Sequence, residues 1–317
     1  MMATPPVLFL IFNRPQETAD VFERIRKQAP ARLYIAADGP RPNIAGEQEL
    51  CEETKRQVLT RIDWDCEVKT LLRQQNLGCK NAVWQAISWF FEQEEMGIIL
   101  EDDCLPTDSF FTICAELLLK HKYNTQVMMI GGTSYQAKPM DVYSYYYSTY
   151  MHIWGWASWR RAWQYYNAEL NGFDETECLQ ILAKNLPDKR EQELWRMNLQ
   201  HIINGFDTWD YQWQYSIWKN NGLTIIPWKN CITNIGFGPR ATHTFSTESV
   251  QARLKSFEIT GPIKHPNTIQ LNKKADRYER YTVLLSSPAA YFLQRALQPL
   301  KNIIKRVLRP YFNITRS

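Results

Sequence analysis

Regular alternation between short apolar runs and amphipathic segments is the feature that most restricts what this chain can fold into. Apolar runs predict strands at Val7–Phe12, Leu33–Ala37 and Gly97–Leu100, and Glu67–Leu72 is a candidate for the third of four strands. The segments between these strands predict helices at Gln16–Gln28, Glu47–Arg61 and Asn81–Phe91. This alternation predicts an α/β fold in which helices flank a mixed, mostly parallel sheet. Ligands of such sheets bind outside the carboxyl ends of the strands.

Polar side chains follow three of these strands, as Asn13-Arg14, as Asp38 and as the acidic triplet Glu101-Asp102-Asp103. Adjacent carboxylates repel one another, so the triplet needs water or a cation to neutralise its charge. Oxygen ligands of this kind suit Mg²⁺ or Mn²⁺, which usually also bind substrate phosphates. The alternative is a solvated turn that caps the next predicted helix, Ser109–Lys120. The buried strand before the triplet favours the metal site.

Charge and cysteine usage exclude several classes of protein. The formal net charge of +4 does not require a nucleic-acid partner, and none is expected. The seven cysteines are odd in number and contain no Cys-x-x-Cys pair, which argues against a disulfide framework and against structural zinc. No run reaches the ~20 apolar residues that a membrane-spanning helix needs. A cytoplasmic location with reduced thiols is therefore the expectation.

Residues 266–317 are predicted to form a basic C-terminal tail. Between Ala289 and Arg309, apolar residues recur at helical spacing, lysines and arginines occupy the other face, and Pro299 predicts a kink. This amphipathic helix either packs on the preceding domain or a second subunit, or lies in a membrane interface with its cations on anionic lipid. In the second case, residues 286–317 would make the protein peripheral on the inner face of the cell membrane.

Five segments in order carry a resemblance to a known family: IFNRPQET, IAADGPR, NLGCKNAV, GIILEDDCLPTDSFF and HIWGWASW. Over roughly residues 5–245 the chain resembles a bacterial family of GT-A-fold sugar transferases, itself similar to eukaryotic N-acetylglucosaminyltransferase I. The resemblance implies a GT-A nucleotide-diphospho-sugar transferase domain over residues 1–265. Its nucleotide-sugar-binding half would be 1–140, and its acceptor-binding half 141–265.

The resemblance also implies roles for residues after the first and fourth predicted strands. Asp103 would bind the metal that bridges the two phosphates of the donor, Asp102 would face the ribose, and Glu101 the donor sugar. Asn13 and Arg14 would approach the nucleotide or its phosphates. The alternative for Arg14 is an ordinary surface position.

Three further residues would border the donor pocket. By resemblance, Asp38 would recognise the base or ribose, and Asn76 and Lys80 lie in the segment next to the pocket. Two of them have structural alternatives. Asp38 can shape the Asp-Gly-Pro turn by bonding its own backbone, and Asn76 can cap a helix.

Two residues in the second half would complete the site. An inverting transferase needs a carboxylate to take the proton of the acceptor hydroxyl. Asp210 lies in Trp-Asp-Tyr-Gln-Trp, where the similar eukaryotic enzymes have Trp-Asp-Asp-Trp; Asp207 is the second candidate. The alternative for Asp210 is to cap a helix that continues through Trp218. His243 would be a further metal ligand, unless it is a surface or packing residue.

Tryptophan is concentrated in the second half, where nine of the twelve lie between 154 and 228. The spacing of Trp154, Trp156, Trp159 and Trp163 predicts the start of a helix. These side chains either pack in the core or, for the two that flank Gly155, form a platform for the sugar rings of an acceptor.

The residues and the resemblance together predict a metal-dependent glycosyltransferase. It would move a sugar from a nucleotide-diphospho-sugar, with UDP favoured by the resemblance, to a glycan or lipid-linked acceptor. The resemblance implies assembly of lipopolysaccharide or another surface polysaccharide. One alternative is a nucleotidyltransferase of similar fold, although Asn-Arg-Pro-Gln-Glu-Thr after the first strand lacks the glycines of a phosphate loop. The other is a non-catalytic membrane-associated protein.

Overall fold

The predicted alternation is present in the structure, a computed structural model that describes residues 2–237 and 254–285. The strands are β1 Val7–Ile11, β2 Arg32–Ala37, β3 Glu67–Leu72, β4 Met96–Glu101, β5 Cys104–Pro106, β6 Val127–Gly131, β7 Tyr145–Ser148, β8 Trp156–Trp159, β9 Leu223–Pro227 and β10 Ile232–Asn234. The helices are α1 Pro15–Gln28, α2 Glu47–Leu59, α3 Gly78–Gln93, α4 Asp108–Lys120, α5 Arg160–Trp163, α6 Glu175–Asn185, α7 Lys189–Ile203, α8 Asp210–Lys219 and α9 Lys273–Glu279.

Eight strands form one mixed sheet in the order β3-β2-β1-β4-β8-β6-β9-β7. The first four are parallel to one another, and β6 is parallel to β9. In contrast, β8 is antiparallel to both of its neighbours, and β7 is antiparallel to β9. Strands β5 and β10 form a separate two-stranded sheet. The predicted α/β fold with a mixed, mostly parallel sheet is confirmed.

Alternate side chains of β1 face two separate cores, which explains why this strand is apolar at every position. Val7, Phe9 and Ile11 pack with residues of α1 and α4 on one face of the sheet. Leu8 and Leu10 pack with residues of α3 and α8 on the other. Successive side chains of a strand point to opposite faces, so a strand covered on both faces has no solvent-facing position.

Local sequence determines where the helices beside the parallel strands begin. α1 starts at Pro15. Proline suits the first position of a helix, because a backbone N–H at that position would have no partner within the helix and its absence costs no hydrogen bond. α3 starts at Gly78, three residues before the predicted start, and Gly78 has a φ of +81° that glycine adopts without strain. The predicted ends of the first four parallel strands agree with the observed ends to within one residue.

Tryptophans of the second half build the core on the α3 side of the sheet. Trp156 is completely buried in β8, and its ring centroid lies 6.1, 5.9 and 6.3 Å from those of Trp163, Trp209 and Trp213. Of the two alternatives for Trp156, core packing is confirmed and the acceptor platform is wrong, because the pleat of β8 turns this side chain into the core.

The predicted helix start in this region is also wrong. The backbone is extended through Trp159 and becomes helical only at Arg160. The strand forms because β8 fills the gap between β4 and β6, so that tertiary pairing overrides the helical spacing of the tryptophans. Trp154 precedes the strand and is half-buried, with its ring edge-to-face against Phe237 at 5.7 Å.

The chain divides into two units after Asp276. The first unit contains both sheets. The described part of the second unit runs from Arg277 to Leu285 and contains a π-helix at Arg280–Leu284. The predicted basic helix lies outside the described residues, and the predicted boundary at residue 265 stays a prediction. No helix in the described ranges is long and apolar enough to cross a membrane.

We expect Trp156→Ala to lower the free energy of unfolding by about 3–5 kcal/mol, because a cavity would replace a fully buried indole. Urea unfolding followed by circular dichroism measures this change. Tyr123→Ala is the control, since the Tyr123 side chain is 86% exposed and its loss should cost less than ~0.5 kcal/mol. Equal effects of the two substitutions would contradict the tryptophan core.

His121 is buried directly after α4, and its Nε2 atom has no hydrogen-bond partner in the described part of the chain. Burial, with the charges of Lys120, His265 and Arg161, lowers the pKa of His121 from 6.5 to about 4. The folded state therefore favours the neutral ring, so this contribution to stability is complete above pH 6.5 and is lost as the pH falls toward 4.

We expect His121→Phe, which keeps an aromatic ring but cannot titrate, to show a weaker loss of stability than the wild type across this pH range. Urea unfolding at half-unit pH intervals provides the comparison. Parallel stability curves for the two proteins would show that the His121 ring is not held neutral by the fold.

Candidate functional site

Parallel pairing brings the predicted polar clusters to one edge of the sheet. Leu10 of β1 is opposite Glu101 of β4, and β2 lies on the other side of β1. The residues that follow these strands therefore emerge side by side. The backbone N–H of Phe12 donates a hydrogen bond to Oδ2 of Asp102 at 3.1 Å, which joins the end of β1 to the acidic triplet.

Arg14 places its guanidinium between two carboxylates of the acidic triplet. Its Nη1 atom is 2.6 Å from Oδ2 of Asp103 and 3.2 Å from Oδ1 of Asp102. The side chain of Arg14 is 16% exposed, and those of Asp102 and Asp103 are 8% and 12% exposed. The alternative of an ordinary surface position for Arg14 is therefore wrong. A residue before proline avoids helical dihedrals, and Arg14 has a φ of −119° that starts the turn back toward β4.

Glu101 ends β4, and the hydrogen bonds of Arg14 go to Asp102 and Asp103 instead of to the Glu101 carboxyl. Its Oε1 atom is buried and has no hydrogen-bond partner among the residues that the structure describes. Burial, followed by repulsion from Asp103 and Asp102, raises the pKa of Glu101. Burial also raises the pKa of Asp102, against the opposing effect of Arg14. The acidic triplet is thus short of positive charge.

The donor atoms of the triplet suit a hard cation. One oxygen of Asp102 and one of Asp103 approach the same Nη1 atom, so both carboxylates can face a single positive centre. Mg²⁺ is commonly held by one or two carboxylates together with water and substrate phosphates. The described residues contain no group of three or more His, Cys, Asp or Glu side chains around one metal position. His243, the predicted further ligand, lies outside the described residues.

The segment after β10 closes one side of the acidic triplet, which the sequence did not reveal. Asn234 is opposite Cys104 in the β5–β10 pair, and the N–H of Ile235 donates to the carbonyl of Asp103 at 2.8 Å. A Cβ atom on Gly236 would lie 2.1 Å from Oδ2 of Asp103, so this approach requires glycine. The only signal in the sequence was a glycine within an otherwise apolar stretch.

Asp38 and Asn76 meet each other, and both bind backbone groups. Oδ1 of Asp38 accepts from the N–H groups of Gly39 at 3.0 Å and Leu77 at 3.1 Å, and Oδ2 accepts from Nδ2 of Asn76 at 3.0 Å. Nδ2 of Asn76 also donates to the carbonyl of Gly39 at 2.8 Å. These contacts support the structural alternative in which Asp38 shapes its turn. A role in binding the base or ribose stays a prediction.

Asn13 and Lys80 are bound by acidic side chains of the protein itself. Nδ2 of Asn13 donates to Oε1 of Glu47 at 2.8 Å, and Nζ of Lys80 lies 2.7 Å from Oε2 of Glu169. Contact with a nucleotide or its sugar stays a prediction for both. Such contact would exchange these partners for groups of the ligand.

Asp207, the second candidate for the base, caps α3 from a distant part of the chain. Its Oδ2 accepts from the N–H of Cys79 at 3.1 Å, and its Oδ1 accepts from the N–H of Lys80 at 2.8 Å. A carboxylate at this place accepts hydrogen bonds from N–H groups that lack partners inside the helix, and its negative charge interacts favourably with the positive end of the helix dipole. A Cβ on Gly78 would come within 2.8 Å of Oδ2, so glycine permits the contact. Asp207 therefore fixes the loop before α8 to the start of α3.

Asp210 is the first residue of α8 and lies toward the acidic triplet. The hydroxyl of Thr208 donates to its Oδ1 atom. Burial, then the charges of Glu101, Asp207 and Asp210, raise the pKa of the Cys79 thiol to about 12. α8 begins at Asp210 with Trp209 as its N-cap residue, so Asp210 is not the cap that the alternative predicted. The Asp210 side chain lies within electrostatic range of Glu101.

The structure therefore gathers the carboxylates of the acidic triplet, Arg14 and Asp210 around one edge of the sheet, and it places Asp38, Asn76 and Lys80 near the start of α3. Comparison with known proteins finds no family model that matches the chain and no significant match among curated proteins. The function must therefore be inferred from the chemistry of the site.

We expect Arg14→Met to lower the free energy of unfolding by about 3 kcal/mol, because it leaves two buried carboxylates without their cation. Arg26→Met is the matched control. It removes an arginine from the Asp63 pair, in which the side chains are 39% and 57% exposed, and should cost no more than ~1 kcal/mol. Urea unfolding at pH 7.5 compares the two. Similar losses would contradict the internal role of Arg14.

Proposed function

We propose that the protein is a metal-dependent glycosyltransferase of the GT-A type that uses a nucleotide-diphospho-sugar. The observation that carries this proposal is the convergence of Asp102 and Asp103 on one positive centre at the carboxyl edge of parallel strands. Ligands of open α/β sheets bind at this edge, and a diphosphate is the substrate group that a carboxylate-held Mg²⁺ or Mn²⁺ commonly binds. The ordered motifs that resemble GT-A sugar transferases support the same function.

Asp103 and Asp102 would hold Mn²⁺ or Mg²⁺ as oxygen ligands. When bound, such an ion neutralises the charge that develops on a diphosphate leaving group. Arg14 contributes a second positive charge at the same place, and a positive group that the fold already orients stabilises developing charge without reorganisation. Glu101 would face the donor sugar, where its Oε1 atom, which has no hydrogen-bond partner among the described residues, would accept a hydrogen bond from a sugar hydroxyl.

Asp210 is the proposed general base. It would take the proton of the acceptor hydroxyl while the hydroxyl oxygen attacks the anomeric carbon and the bond to the diphosphate breaks, with inversion at that carbon. Asp210 lies within electrostatic range of Glu101, which supports this assignment. Asp207 is the weaker candidate, because both of its oxygens accept hydrogen bonds from the start of α3.

We further propose a glycan or lipid-linked glycan as the acceptor and uridine as the base of the donor, both on the resemblance. A cytoplasmic enzyme that lies on anionic lipid through residues 286–317 would suit an acceptor of this kind. Assembly of a surface polysaccharide such as lipopolysaccharide is the corresponding process. No nucleic-acid partner is proposed.

We expect one sugar nucleotide, among UDP-, GDP- and CMP-linked sugars, to raise the melting temperature in Mn²⁺ but not in EDTA. Ligand at ten times its dissociation constant should add about 1.4 kcal/mol of stability. Asp103→Asn should abolish this stabilisation because it removes a charged metal ligand. Asp63→Asn, at a side chain that is 57% exposed, should preserve it.

The same thermal shift experiment distinguishes the other functions. Ion-dependent stabilisation by nucleoside triphosphates, with none by sugar nucleotides, would identify a nucleotidyltransferase. If no nucleotide stabilises the protein in Mn²⁺, the result supports the alternative of a non-catalytic, membrane-associated protein.

We expect Asp210→Asn to retain donor binding and to lose sugar transfer by about 100-fold or more, the usual contribution of a general base. Release of nucleoside diphosphate in the presence of acceptor measures transfer, and thermal shift with the donor measures binding. Asp20→Asn, on an exposed position of α1, serves as the control. Wild-type turnover in Asp210→Asn would exclude Asp210 as the base.

A further inference from the structure

A cleft of about 480 Å³ lies between α3, α5 and the segment that follows α5. Its volume is within the usual range for small-molecule sites. None of the acidic triplet lines it. The cleft is therefore a different site from the one proposed for the metal and the diphosphate.

Aromatic rings form the main walls of this cleft. Trp84 and Tyr166 are half-buried, and their ring centroids are 6.4 Å apart. Trp163 stacks beneath Tyr166 at 4.3 Å with an interplanar angle of 8°, which fixes the orientation of the tyrosine. Rigid aromatic surfaces of this kind bind apolar faces of a ligand, including the C–H faces of sugar rings, at low entropic cost.

The charged side chains that line the cleft are Glu92, Glu169 and Arg160, so carboxylates outnumber cations there. Glu169 is paired with Lys80 at 2.7 Å, and the guanidinium of Arg160 donates to the backbone carbonyls of Phe91 and Glu94. The amide side chain of Asn171 adds donors and an acceptor without charge. Aromatic faces beside amides suit a neutral, hydroxyl-rich ligand, and the excess of carboxylates disfavours a phosphate.

A residue that lines the cleft contacts the segment that contains the candidate base. The hydroxyl of Tyr166 donates to the carbonyl of Trp209 at 3.0 Å, and Trp209 directly precedes Asp210. The cleft follows α3 from Trp84 to Glu92. With a helical rise of 1.5 Å per residue, these positions lie about 7 to 20 Å along the axis from Cys79, whose N–H donates to Asp207. The cleft thus continues along α3 from the end of the helix that contacts the loop before Asp210.

We propose that the cleft binds neutral saccharide units of the acceptor that lie beyond the sugar undergoing reaction. The biological role of the cleft rests on the proposed function, but saccharide binding itself requires neither a nucleotide nor a metal. The occupant is therefore an uncharged oligosaccharide, and its binding can be measured on the protein alone.

Saturation-transfer NMR with neutral trisaccharides of glucose, galactose, mannose and N-acetylglucosamine tests the proposal on the full-length protein in EDTA. We expect at least one trisaccharide to bind, and Trp84→Ala to weaken that binding about tenfold or more. Trp64→Ala is the matched control, because Trp64 is half-buried like Trp84 but does not line the cleft. Ala168→Arg, which places a long side chain at the cleft lining, provides a second variant if Trp84→Ala does not fold.

Binding that is lost in the cleft variants and retained in the control supports the proposal. It is overturned if no trisaccharide binds the wild type, or if binding is unchanged in both cleft variants. Thermal shift with sugar nucleotides separates this result from the proposed function. Ion-dependent donor binding without saccharide binding would contradict the proposed saccharide site and support the proposed transferase function. Saccharide binding without donor binding would support the saccharide site and contradict the transferase function.

Discussion

Repulsion among consecutive carboxylates at the end of a buried strand is the constraint on which the rest of this site depends. β4 emerges between β1 and β8, so the acidic triplet cannot spread its charge into open solvent. Arg14 approaches from the neighbouring strand and neutralises part of that charge through Asp102 and Asp103. On the other side, the backbone at Gly236 lies against Asp103. Side chains and backbone thus hold the carboxylates at a place where they favour a further positive charge.

The tryptophan core gives this edge of the sheet a rigid support. Trp156 of β8, Trp163 of α5 and Trp213 of α8 pack together beneath the sheet, which fixes α8 relative to β4. The first residue of α8 is Asp210, so packing far from any ligand determines where this carboxylate lies. Asp207 adds a second restraint through its hydrogen bonds to the start of α3. A proposed base and a proposed metal site on different segments thereby belong to one rigid frame.

Three of the four parallel strands, β1, β2 and β4, were predictable with their polar ends because each is a short apolar run closed by turn residues. That pattern depends on near neighbours in the chain, and the observed strand ends differ from the predicted ends by at most one residue. The contacts of Asp207 were not predictable, because its partners at Cys79 and Lys80 are more than a hundred residues away in the chain. The spacing of Trp156 and Trp159 suggested a helix, but pairing with β4 and β6 imposed a strand.

By itself, the sequence determined the α/β class, the order of the first strands and helices, and the acidic triplet that follows β4. These features follow from local periodicity and from charges adjacent in the chain. Only the tertiary structure decided that Arg14 neutralises Asp102 and Asp103, that Asp38 binds Asn76, and that a separate aromatic cleft lies along α3. The physical reason is that each of these contacts joins residues distant in sequence, and strand pairing and core packing must form before such residues can meet.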